Sequence, residues 1–331
     1  MRQRGLTAQR DTPAEGQARL RMEKRICPLT NITVPVFNRY EESLATLTAL
    51  RTRTQSPFIL TVVDNGSEEA LRKELLRLRE EKRIDRLFLL DGNYGVSCAC
   101  NLGWKSADAP FFMKVDNDIM PIADKWLESV YSAWGTYRYN SITGPVWNCA
   151  VPRNRIDTPH GTLWSMPVSM SGEGFIVGRK IHERIGFFSE DYGLYGEEDA
   201  DYCLRCHHAG IRKFSYEASG LLERLDADGR KYVAYVKEKT AAHNRNVGNK
   251  PGEGIFPLNL FLYEQGLRAL DVPLKYEVKS MSGPYVEMRE CAGYGRFFDA
   301  LSSCLDLFHA SGGKPDAGIA AKMRLALQGA G

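Results

Sequence analysis

Between residues 31 and 116, strand-like and helix-like segments alternate, and this order constrains the fold more than any other feature of the chain. NITVPVF (31–37), FILTVVDN (58–65), RLFLLD (86–91) and FFMKVD (111–116) are short apolar runs that read as strands. Between them lie a helical pattern at 40–53, a charged amphipathic stretch at 68–82 with Leu71, Leu75, Leu76 and Leu78 inward, and a helix near 96–107. The pattern predicts an α/β domain with a mostly parallel central sheet flanked by helices.

Sheets of this kind bind ligands beyond the carboxyl ends of their strands. Three of those ends carry polar clusters: Asn38-Arg39, Asp64-Asn65 and Asp116-Asn117-Asp118. Side chains alternate along a strand, so Asp116 and Asp118 point the same way. Two carboxylates that close repel each other unless a cation or a proton sits between them. Taken alone, the triplet is equally a polar turn that closes the strand.

After residue 121 the alternation loosens. Further strands are expected at 141–147 and 170–178, and a helix at 197–210 that opens on Glu197, Glu198 and Asp199. The helix dipole alone could explain acids in a first turn. Gly172 and Gly174 suit either a close backbone approach to a ligand or a tight turn. Residues 297–308, FFDALSSCLDLF, read as an amphipathic helix, and the end from Ser311 as small, polar and mobile.

The net charge of +3 in 331 residues is too small to make nucleic acid the main partner. No apolar run approaches the roughly 20 residues of a transmembrane segment. The first 28 residues are polar and mostly basic, with no apolar core after the arginines. They are expected to be a disordered basic tail rather than a secretory leader. Peripheral contact with an anionic membrane is left open, as is a homodimer. Eight scattered cysteines fit reduced thiols and a cytoplasmic location. Three regions are expected: the tail (1–28), the α/β domain (29–250) and a mostly helical C-terminal extension (251–331).

Five stretches in order, VPVFNR (34–39), VVDNGS (62–67), NYGVSCACNLG (93–103), KVDND (114–118) and YGEEDADYCLR (195–205), give the chain a resemblance. It resembles the family 2 inverting glycosyltransferases of GT-A fold over about residues 31–246. The resemblance implies a metal-dependent, inverting transfer of a sugar from a nucleotide-diphosphate donor, a UDP-sugar first, to a hydroxyl of a glycan or lipid-linked acceptor, as in polysaccharide biosynthesis. It places Pro35, Phe37, Asn38 and Asp64 at the nucleotide, and Asn93, Gly95 and Asn101 in the donor loop. Asp116 and Asp118 match the family's Asp-x-Asp metal motif, with Asn117 between them. Asp199 matches the catalytic base, with Glu198 the second candidate. His243 resembles a late histidine that joins the metal site in many members. Hard oxygen ligands suit Mg2+ or Mn2+, and an imidazole tilts the choice toward Mn2+.

Cys100 stands where the family often has an arginine, so Arg39, Arg245 or Lys250 is expected to meet the diphosphate. Trp164, Gly172, Tyr192, Tyr195 and Glu197 are candidates for the acceptor side, although core packing accounts for any one aromatic equally well. A sugar nucleotidyltransferase and an inactive nucleotide-sugar-binding module are the alternatives. Cys203-Leu-Arg-Cys206-His207 also matches a c-type haem attachment pattern, but it lies inside the expected helix and no export signal precedes it.

Overall fold

The computed structural model describes residues 27–147, 154–167, 169–225 and 233–329. Apart from its last two residues, the expected tail at 1–28 lies outside the described residues, as does Cys149.

Four βα pairs build the first half. β1 (Thr30–Val36) leads to α1 (Tyr40–Arg53), β2 (Phe58–Asp64) to α2 (Glu69–Glu80), and β3 (Arg86–Leu90) to α3 (Gly95–Lys105). β4 (Phe111–Val115) leads through the short β5 (Ile119–Pro121) to α4 (Trp126–Trp134). Every residue of β1 and β4 is buried, as expected of strands covered on both faces. β1 lies between β2 and β4 and is parallel to both, with Thr30 beside Phe58 and Phe111. That register puts Asn38-Arg39, Asn65 and Asp116–Asp118 at one edge of the sheet.

The second half adds β6 (Ser141–Val146), β7 (Arg155–Thr158), β8 (Gly161–Ser165) and β9 (Gly174–Gly178). It continues with α5 (Arg179–Ile185), α6 (Glu198–His208), β10 (Arg212–Glu217), β11 (Leu222–Arg224), α7 (Val233–Val247) and α8 (Ile255–Glu264). β9 runs antiparallel to β4 and pairs Gly174 with Val115. The strand expected over 170–178 therefore starts only at Gly174. The preceding residues turn across the end of β4, where the Asp116 amide donates to the Glu173 carbonyl.

The C-terminal segment holds β12 (Tyr276–Ser282), β13 (Tyr285–Glu290), α9 (Tyr294–Ala310) and α10 (Ala317–Gln328). β12 and β13 form a hairpin, and β13 joins β3 in parallel, so the main sheet has eleven strands in the order β12-β13-β3-β2-β1-β4-β9-β6-β10-β8-β7. The hairpin is invisible to hydrophobic periodicity because β12 lies at the sheet edge with six of its seven residues exposed. The expectation of a mobile end from Ser311 does not hold. Asp316 caps α10 by accepting from the Ile319 amide at 2.8 Å, and Met323 packs fully buried beside Leu258, Leu301, Cys304 and Phe308.

Cys203 and Cys206 are fully buried in the core that holds Phe175 and Tyr202. That packing leaves no room for a haem. No helix among the described residues is long and apolar enough to cross a membrane.

Candidate functional site

The polar strand ends meet α6 and α7 around one cavity of about 980 Å3. From β1 come Pro35, Phe37 and Arg39. Asn38 and Arg39 both have left-handed backbone, φ 53° and 56°, which swings Arg39 across to an ion pair with Asp118. Asn38 itself faces away from the cavity. Its side-chain oxygen accepts from the Glu68 amide at 2.9 Å, and its own amide donates to Ser67 Oγ. In this arrangement Asn38 braces the start of α2.

Asp64 also sits outside the cavity lining. It is fully buried, accepts from the Ser67 amide and faces Arg72 Nε at 3.3 Å. Burial pushes its pKa up, while Ser67 and Arg72 oppose that shift. The residue that reaches the cavity is its neighbour Asn65, which the sequence reading did not single out. Asn65 Nδ2 donates to Asn93 Oδ1 at 2.8 Å, and Asn65 Oδ1 accepts from the Tyr94 amide. Asn93 Oδ1 also accepts from the Gly95 amide, so two asparagines shape the wall.

Gly95 sits behind that wall with φ +88°, and a Cβ there would lie 2.5 Å from the Gly193 carbonyl oxygen. Asn101 is buried nearly two turns further along α3. It donates to the Phe188 carbonyl and to Glu190 and so holds the 188–190 segment.

At the centre stands Lys114, to which the sequence reading gave no role. Its side chain is 4% exposed and its Nζ lies 2.5 Å from Asp116 Oδ1. The same Nζ donates to the Gly172 carbonyl at 3.2 Å. Burial disfavours the ammonium, but Asp116 and Glu198 more than offset this and hold its pKa above the ordinary lysine value. Lys114, Asp116 and Asp118 are spaced by two, so the alternation that paired the carboxylates also predicts a cation on their face. Asn117 also lines the cavity, and its side chain donates to Ser43 Oγ at 2.8 Å.

Glu198 and Asp199 open α6 on the opposite wall. Burial and the neighbouring Asp199 raise the Glu198 pKa to about 7, with Lys114 opposing. Asp199 is also raised by burial, again with Lys114 opposing. Its two oxygens accept from the Gly172 amide at 2.8 Å and the Ala200 amide at 2.7 Å. Gly172 is a close approach to this carboxylate, since a Cβ there would meet Asp199 and Lys114 at 3.1 and 3.3 Å. Gly174 answers to packing instead, its space being taken by the Tyr216 hydroxyl.

α7 closes the cavity with Lys239, His243 and Arg245. Lys239 lies 4.0 Å from the ring centre of Tyr195, and Tyr195 faces the cavity as expected. His243 Nδ1 is 2.6 Å from Glu197 Oε1. Lys250 is outside the lining. Trp164 is 5% exposed within β8, and Tyr192 is buried with its hydroxyl donating to Asp201. Both aromatics pack the core rather than offering a platform. A second cavity of about 450 Å3 adjoins the first and shares Ser171, Glu197, Asp199 and Arg224 with it.

Among the described residues no three His, Cys, Asp or Glu side chains gather to hold a metal by themselves, and His243 is turned to Glu197 rather than to the Asp pair. The donor set does fit a shared site. Among the described residues, the lining carries seven acids (Asp116, Asp118, Glu173, Glu197, Glu198, Asp199, Glu238) against five fixed cations (Arg39, Lys114, Arg224, Lys239, Arg245). Added positive charge would favour a diphosphate in a cavity of that balance. Mg2+-type ions are held in just this way, by one or two carboxylates plus substrate phosphates.

Residues 31–190 match the model described as glycosyl transferase family 2. Two validoxylamine A glucosyltransferases, from Streptomyces hygroscopicus subsp. limoneus and subsp. jinggangensis, are each 24% identical over 56% of this chain. The alignments cover 49% and 52% of those proteins, so the chain spans about half the length of the curated relatives it matches. A mannosyltransferase from Pyrobaculum calidifontis, solved in complex with GDP-Man and Mn2+, superposes over 96% of this chain and 84% of its own, with a TM-score of 0.52 at 17% identity. The likeness of fold reaches across the whole molecule, and the sequence match to glycosyl transferase family 2, on the GT-A fold, covers residues 31–190.

Proposed function

We propose that the chain transfers a sugar from a nucleoside diphosphate sugar to an acceptor hydroxyl with inversion at the anomeric carbon. One observation carries the reading: Lys114 joins the acidic pair after β4 to the acidic opening of α6, so donor-side and base-side groups share one cavity. Phe37, Asn65 and Asn93 line the side toward β1–β3, where the nucleoside lies. Arg39, Lys239 and Arg245 face the diphosphate in place of the arginine that Cys100 replaces. Asp116 and Asp118, together with the donor phosphates, would hold a divalent cation, which supplies Lewis-acid charge to the departing diphosphate. The Pyrobaculum enzyme, of the same fold, was solved with Mn2+.

Asp199 accepts the proton of the attacking hydroxyl. Two amides fix its carboxylate, and it lies on the wall shared with the second cavity. Burial lifts its pKa from the usual carboxylate value, with Lys114 opposing, which makes it a better base. Direct attack from the side opposite the diphosphate inverts the anomeric carbon.

The test is a thermal-shift titration with UDP and GDP, each with and without Mn2+. A ligand of the native state raises the melting temperature. At least one nucleotide should stabilise the protein, and more so with the metal. No shift with any nucleotide would end the proposal.

A further inference from the structure

The second cavity points to an acceptor of definite chemistry, and this inference rests on the function just proposed. Ser171, Glu197, Asp199 and Arg224 line both cavities, so the proposed base stands in the wall between them. A hydroxyl presented from the second cavity meets Asp199 before it meets a sugar held in the first. The volume of about 450 Å3 lies toward the low end of the roughly 300–1,000 Å3 of small-molecule sites. It admits a ring or two, not a folded partner.

The rest of the lining is mixed. Trp147, Met166 and Met170 give it apolar area, and Ser169, Ser171 and Ser215 give it hydroxyls. Ser215 is 1% exposed, and its Oγ has no hydrogen-bond partner among the described residues. A buried hydroxyl without a partner costs free energy until a ligand or water supplies one. Ser215 lies on β10, opposite Trp164 of β8 and Gly144 of β6, so the sheet fixes its position.

Charge narrows the ligand further. The cavity wall carries the Glu197 and Asp199 carboxylates. Arg224 is its one cation among the described lining residues, and that guanidinium is already committed. It donates to Glu173 Oε2 at 2.9 Å and stacks 3.8 Å from the ring centre of Trp147. Among the described lining residues, none offers a free positive charge to a phosphate or a uronate.

We propose that the second cavity binds the acceptor as an uncharged, hydroxyl-rich ring of hexopyranoside size. The ring packs against Trp147 and the two methionines, and one hydroxyl bonds Ser215.

Saturation-transfer NMR with methyl hexopyranosides, in the presence of saturating UDP or GDP and Mn2+, tests this directly. Neutral glycosides should take up saturation, whereas methyl glucuronide and a hexose 6-phosphate should not. Ser215→Val and Trp147→Ala should each weaken the neutral glycoside roughly five- to tenfold, with nucleotide binding unchanged as the control for folding. The proposal falls if nucleotide binds but no neutral glycoside does, if the anionic sugars bind as well, or if both variants bind the glycoside like the parent chain. Loss of nucleotide binding in the parent chain would instead sink the transferase reading beneath it.

Discussion

Five residues carry the proposed chemistry and its charge balance: Lys114, Asp116, Asp118, Glu198 and Asp199. Lys114 is buried between carboxylates, and removing one partner from such a set leaves uncompensated charge. Lys114→Met should therefore destabilise the protein by roughly 3–5 kcal/mol, read from urea unfolding at neutral pH. Asp199→Asn keeps one of the two backbone-amide contacts through its remaining oxygen and cannot take a proton. Transfer should fall by roughly 10²- to 10⁴-fold, while nucleotide affinity measured by calorimetry stays the same. Glu198 gives a pH signature. Its folded pKa is about 7, above the ordinary glutamate value of 4.5, so the folded state binds more protons between those values. Stability from this group is therefore full below about pH 4.5 and lost as pH rises through about 7, by at most roughly 3 kcal/mol. Glu198→Gln should flatten that part of the stability profile in urea titrations run from pH 5 to pH 8.

At the scale of elements, the site depends on what β9 and α6 bring to the end of β4. Antiparallel pairing of β9 with β4 places the turn before Gly174 against Asp116, and Gly172 in that turn donates its amide to Asp199. Gly172→Ala should fold, because its backbone is not left-handed, but its methyl would push Asp199 or Lys114 aside. Transfer should drop, by up to about a hundredfold if the carboxylate shifts by an ångström, with the melting temperature little changed. The end of α7 is tied to the same region. Asn246 Nδ2 donates to the Tyr192 and Tyr195 carbonyls, which holds the approach to Glu197–Asp199 under the helix that carries Lys239 and His243.

Across the whole molecule, the C-terminal segment completes the first domain as well as following it. Arg268 pairs with the buried Asp191, Tyr294 donates to the same carboxylate, and the Lys275 and Tyr276 amides donate to Glu190. β13 pairs with β3. We propose that residues 251–331 are an extension that the 29–250 region needs. A chain ended at residue 250 should therefore lose cooperative thermal unfolding, as followed by circular dichroism, because Asp191 and Glu190 would keep their burial without their partners. Much of this was legible in the chain itself. Apolar runs with helical spacers set β1–β4 and their helices, and period-two spacing set Asp116 and Asp118 on one side, because such patterns are local and each residue reports its own burial. The sequence could not say that Lys114 joins Asp116 to Glu198, that Asn65 rather than Asp64 faces the cavity, or that a polar hairpin from residues 276–290 closes the sheet edge. Those facts rest on contacts between segments far apart in the chain, where register and packing, not local pattern, choose which side chains meet.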